Sequence, residues 1–303
     1  MNTQSNAMPE SSDSPGAAPA VMSPTRPMYW SVQRELWENR YIYIAPLVVA
    51  AVTLFGFLIA TLGRALSVTD LGQRRAVLEE PSSFAMGLIM ATTFVVGIFY
   101  CLDALHGERR DRSILFWKSL PVSDFTTVLS KASIPLVVLP LITIALIVAV
   151  QWIMLLLSSL VLAGSGLSVA PLWTPSPLRM WLMLIYHLVT VHVLWHAPIY
   201  GWLLLVSAWA RRATFLWAGL PWLAIAIIER VAFNTRHFVT MLGYRMGGPE
   251  TYSLGMRGGG SMHPMAGIDP GKFLSSPGLW IGLAIATVFL AAAVRLRRNQ
   301  GPI

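Results

Sequence analysis

Residues 103–131 read DALHGERRDRSILFWKSLPVSDFTTVLSK, and the fold turns on what this stretch interrupts. Apolar runs flank it at 84–102 and 134–163, each near or beyond the roughly 20 residues that cross about 30 Å of hydrocarbon. Between them lie a charge cluster (Glu108, Arg109, Arg110, Asp111, Arg112), an apolar knot (Ile114, Leu115, Phe116, Trp117), then Lys118 and Pro121. A connector between two helices needs no such knot, and exposed apolar clusters mark contact surfaces. Glu108 and Arg112 are four apart in the favourable order, so the spacing predicts that the preceding helix continues through the cluster. Pro121 stops the helix, and Ser123 or Asp124 caps the next one. The expected geometry is a short, rigid elbow between two membrane helices. The competing reading is an interfacial hairpin that packs only on its own bundle.

Composition supports the membrane assignment. The 303 residues are 55% hydrophobic and 12% charged, with a mean hydropathy of +0.61, more apolar than a soluble domain tolerates. The formal net charge of +8 does not point to nucleic acid, because the basic residues sit beside apolar spans, where an anionic membrane surface accounts for them. The single cysteine, Cys101, lies inside an apolar span and excludes a disulfide scaffold.

Outward from the elbow, the chain reads as an all-α membrane protein with six spans. They fall at about 41–62, 84–102, 134–163, 180–208, 213–228 and 278–294. Residues 1–27 carry no apolar run and lack the pattern of a signal peptide; they are expected to be a disordered tail. Over 28–40, Tyr29, Trp30, Val32, Leu36 and Trp37 recur at helical spacing, with Arg34, Glu35, Glu38 and Arg40 largely opposite, which predicts an interfacial amphipathic helix. The third span exceeds the bilayer and carries Pro135 and Pro140, so tilt, a kink or extension is expected. The fifth has only 16 residues before Glu229 and contains Pro221, which predicts a break or incomplete entry. Residues 63–83 read as a charge-balanced loop, 229–243 as a short interfacial or re-entrant helix, 247–260 as flexible coil, and 299–303 as a tail. Thirteen of the 22 Lys and Arg residues fall in the segments that share a side with the N-terminus, which favours both termini on the cytoplasmic side.

Chemical motifs are sparse. Gly267 to Phe273 approaches a phosphate-binding loop, but its first glycine is one position too close and Phe273 stands where a hydroxyl would hold magnesium. The chain itself therefore carries no ATPase motif. His187, His192 and His196 lie in the fourth span. His192 and His196 share a helical face, while His187 points about 140° from His192 at α-helical pitch. An intramembrane metal or haem site, or an enzyme built on these histidines, is the alternative function. Hydrogen bonding within the bundle is the ordinary reading, and no metal site is assigned. Gln151, deep in the third span, fits interhelical bonding, or else substrate contact. With His192, His196 and Glu229 it makes up the candidate pathway residues. Trp173, Trp181 and Trp280 fit interface anchors.

At Asp103-Ala104-Leu105, at Gly107 to Asp124 (GERRDRSILFWKSLPVSD) and at Ser130-Lys131, the chain resembles the permease subunits of ABC exporters of the export-type, second class. Secondary support comes from Ala197 to Trp202 (APIYGW) and Ser207 to Arg212 (SAWARR). The likeness extends over about residues 28–298. It implies a bacterial-type inner membrane and a cytoplasmic coupling helix between the second and third spans that seats on a separate ATP-binding subunit, where ATP and Mg are held. Carried onto this chain, that contact falls on Glu108 to Asp124, helped by Trp30, Arg34 and Trp37. The resemblance further implies a second permease copy or homologue, and small outer helices before the last span, for which 229–243 is placed.

Overall fold

A computed structural model describes residues 25–65, 71–119, 122–164, 168–173, 177–255 and 270–301. The tail expected over 1–27 lies almost wholly outside the described residues, as do Pro121 and the glycine-rich 256–269. No strand occurs among the described residues. Helix α1, Thr25–Glu38, leads into α2, Tyr41–Ala65, and α3, Leu71–Ala104. Two short helices, α4 (His106–Arg110) and α5 (Ser113–Ser119), precede α6 (Asp124–Ser133), which runs through a π-helical turn at Ile134–Val138 into α7, Leu139–Gly164. Helix α8, Pro177–His187, continues as a π-helical stretch, Leu188–Trp195, and then α9, Ala197–Trp209. The chain ends with α10 (Thr214–Phe233), α11 (His237–Gly255), α12 (Pro270–Leu274) and α13 (Pro277–Asn299).

Among the described residues five helices are long and apolar enough to cross a membrane, and the pair bent by 44° at His196 makes a sixth if counted as one span. Because lipid is as apolar as leucine, such helices hold together by shape and polar bonds, and their burial ranges widely, from 50% of the apolar window at Phe84–Arg110 downward. In α10, 6% of the apolar window is buried, so this helix is peripheral. Among the described residues the interior holds four apolar clusters, of which two are the larger. One gathers Ile42, Tyr100, Cys101, Ile134, Leu139, Tyr200 and Leu204. The other gathers Phe57, Ile89, Ile147, Met154, Leu184 and Leu188. Buried Thr143 donates to Thr93 at 3.0 Å and joins α7 to α3. Helices α9 and α13 approach closely because position 201 is glycine: a Cβ there would lie 3.3 Å from the Ala286 carbonyl oxygen.

The structure departs from the expected pattern in several places, each with a local cause. The helix before the charge cluster does not continue through it. The hydroxyl of Ser207 accepts from the backbone N–H groups of Leu105 and His106 at 3.0 and 2.9 Å, while Arg112 takes a left-handed conformation at φ 58°, so the chain turns twice within eight residues. The fifth span is not broken at Pro221: α10 is continuous, and the indole of Trp202 donates to the neighbouring Ala218 carbonyl at 3.2 Å. The extension expected of the third span is present, as α6 ahead of residue 134, with Pro135 inside the π turn Ile134–Val138 and Pro140 at the start of α7. Residues 71–83 and 247–255, expected as loop and coil, are helical. Helix α1 begins and ends slightly ahead of its expected bounds.

Candidate functional site

The turn between α3 and α6 is anchored from beneath by a buried ionic cluster. Glu108 of α4 binds three cations from three other elements. Its Oε1 accepts from Arg34 of α1 at 3.0 Å and faces Lys131 of α6 at 3.2 Å; its Oε2 accepts from Arg297 of α13 at 3.1 Å. Lys131 also binds Glu35 at 2.8 Å, whose other oxygen accepts the Tyr100 hydroxyl at 2.8 Å. Arg34 reaches Glu35 at 2.8 Å and Glu38 at 3.5 Å, and Arg297 pairs with Asp124. Arg34, Lys131 and Arg297 thus balance Glu35, Glu108 and Asp124. Side chains this enclosed (Lys131 3%, Glu35 2%, Arg297 4% and Glu108 7% exposed) are tolerated only when charges are matched. Burial works against the Arg34 charge, but Glu35, Glu38 and Glu108 outweigh it and hold its pKa above the ordinary value.

Above this base, α5 is held on two sides. The Arg34 guanidinium lies 3.6 Å from the Trp117 ring centroid, and Lys118 donates to the Gln300 carbonyl at 2.9 Å. Ile114 is buried, whereas Leu115 and Phe116 are 58% and 60% exposed. The knot therefore divides: Ile114 and Trp117 fasten α5 to the bundle, and Leu115 and Phe116 face outward. Arg109 does not face outward. It is buried and donates to the Ala208 carbonyl at 2.6 Å, satisfying the C-terminal end of α9. Arg110, Asp111, Arg112 and Lys118 are exposed, and Arg110 pairs with Asp103 and Asp111 rather than with partners below. Ser123, not Asp124, caps α6, its hydroxyl accepting from Thr126 N at 3.1 Å. Trp30 and Trp37 are exposed on α1.

The sequence-predicted pathway residues do not converge on one site. Glu229 caps a helix: its carboxylate accepts from Thr235 Oγ1, His237 N and Phe238 N at 2.8, 2.6 and 2.8 Å, starting α11. Buried Gln151 accepts the Trp181 indole at 3.0 Å, joining α7 to α8. The histidines are placed differently than α-helical pitch predicts. The π-helical stretch widens the turn, so residues five apart share a face. His187 and His192 accordingly lie 6.2 Å apart, and His192 and His196 5.4 Å apart, by ring centroids. His196 donates from Nε2 to the Met246 carbonyl at 3.0 Å, and Trp195 donates to the Tyr244 carbonyl at 3.3 Å; together they dock α11 against the bend in the fourth span. Among the described residues, no group of three or more His, Cys, Asp or Glu is arranged to hold a metal ion.

Glu35, Lys131, Arg297 and Tyr100 were not singled out as site residues in the sequence. The available signal was local: Lys131 falls on the inward face of the amphipathic α6, whose neighbours Val128 and Ala132 are buried. No protein-family model matches the chain, and no curated protein or solved structure matches it significantly.

Proposed function

We propose that this chain is the membrane-spanning, pathway-forming subunit of an ATP-driven exporter of the ABC type. In this reading α4 and α5 form a cytoplasmic coupling elbow that seats on a separate ATP-binding subunit, which holds ATP and Mg. The observation that carries it is the division of labour in the elbow. Outward-facing Leu115 and Phe116 ride on a short helix fixed to Arg34, and Glu108 beneath ties that region to α1, α6 and α13 together. A push on α5 is then transmitted to three helices through matched charges instead of being lost in a loop. Closure of the partner drives the change by binding one arrangement of the bundle more tightly than the other.

Two further observations support the topology. The Lys and Arg asymmetry favours both termini on the cytoplasmic side, and a bacterial-type inner membrane is part of the same proposal. The Arg109 Nε–H reaches the Gly301 carbonyl at 3.4 Å, so the end of the chain meets α4 at the same end of the bundle as α1. The little-buried α10 leaves apolar surface for a second permease copy or homologue. Affinity purification of the tagged chain from its native membrane is the test. An ATP-binding subunit is expected to co-purify and to be lost when Leu115 and Phe116 are both replaced by Ser. Retention of the ATPase in that variant, with full activity, overturns the assignment of the elbow.

A further inference from the structure

At the end of the bundle opposite α4 and α5, a pocket of about 480 Å³ opens between α9, α10, α11 and α13. That volume lies within the roughly 300–1,000 Å³ common for small-molecule sites. Its walls are almost wholly apolar, including Trp202, Pro221, Trp222, Phe238, Ile281 and Phe289. Among the described residues, Arg245 of α11 is the only charged one lining it. The guanidinium is seated with care. It donates to the Gly278 carbonyl at 3.1 Å and stands 4.5 Å from the centroid of the buried Trp195 ring. It also lies against the bare face of Gly282, where a Cβ would collide with Arg245 Nη2. No carboxylate among the described residues pairs with it, and burial works against its charge, lowering its pKa from the ordinary guanidinium value.

A cation lining an apolar groove, without a counter-ion among the described residues, is complementary to a molecule with an anionic head and a long apolar body. The lining itself indicates where that molecule comes from: Ile225 on α10 and Ile281 and Ile285 on α13 line the groove and are exposed, and they belong to helices long and apolar enough to cross a membrane, a setting that suits a lipid. We propose that Arg245 and this groove form a binding site for an anionic phospholipid, with the phosphate on Arg245 and one acyl chain between α10 and α13. The site stands on its own geometry and does not depend on coupling to an ATPase.

The test uses the full chain in nanodiscs with a phosphatidylglycerol probe that carries a photoreactive group on one acyl chain. Crosslinks are expected on the pocket walls, at Trp222, Ile225 and Phe289 among others, and unlabelled phosphatidylglycerol is expected to compete while inorganic phosphate does not. Arg245→Gln should lower labelling about tenfold or more, as loss of a charge-assisted hydrogen bond does. Arg245→Lys should retain most of it, and Gly282→Leu should abolish it by displacing the guanidinium. Equal labelling by a matched phosphatidylcholine probe, competition by inorganic phosphate, or undiminished labelling of Arg245→Gln overturns the proposal. If Arg245→Gln does not fold, the contrast between the two lipids on the wild-type chain decides.

Discussion

Replacing Glu108 by Gln tests the ionic cluster at its most connected point. The glutamate accepts from Arg34 at 3.0 Å and Arg297 at 3.1 Å and faces Lys131 at 3.2 Å, with its side chain 7% exposed. Neutralising it leaves three cations facing Glu35 and Asp124 alone among the enclosed carboxylates. Removing one partner of a buried ionic set costs about 3–5 kcal/mol, since uncompensated charge stays behind. Lys131→Met leaves Glu35 with Arg34 and Tyr100, and leaves Glu108 with two arginines, so its cost should fall near about 3 kcal/mol, the low end of that range. The double variant restores charge balance, and its coupling energy should be about 1–3 kcal/mol. Unfolding in mixed micelles by graded addition of sodium dodecyl sulfate, followed by tryptophan fluorescence, reads all four species. If Glu108→Gln lies within about 0.5 kcal/mol of wild type, or the two substitutions simply add, the cluster does not anchor the turn between α3 and α6.

Three further outcomes follow from local geometry. Gly201→Leu should destabilise by about 1–3 kcal/mol, because α13 lies against position 201, whereas Gly56→Leu, with open space around it, should be nearly neutral in the same unfolding assay. Ser123→Ala removes the cap of α6 and should cost about 1 kcal/mol. Glu229→Ala frees the first N–H groups of α11, so hydrogen exchange at residues 237–240 should quicken while the α9 amides stay protected.

Much of the bundle was legible because spanning a membrane demands long apolar runs, and those runs stand out in the chain. The interior of the charged stretch was not, because its partners are remote. Read locally, Glu108 belongs with Arg112 four residues on; folded, it meets Arg297, 189 positions away. Lys131 and Arg297 read as charges flanking membrane spans, yet both are buried against carboxylates from other helices. The histidines were misplaced by a different cause. A periodicity of 3.6 sends His187 away from His192, and nothing in the run LVTVHVLW announces a π helix. Pro221 misled in the opposite direction, since neighbouring groups such as Trp202 support the helix around it. Glu229, read as a membrane-edge carboxylate and a candidate pathway residue, caps α11, a contact that required knowing where α11 begins.

The proposed seating of Leu115 and Phe116 on an ATP-binding partner is decided by placing a photoreactive amino acid at position 116 in the intact cell and identifying what it captures by mass spectrometry. A subunit carrying a phosphate-binding loop is expected from position 116 and not from position 280, where Trp280 is exposed near the start of α13. Capture of lipid alone at position 116, or of the same proteins from both positions, would contradict it.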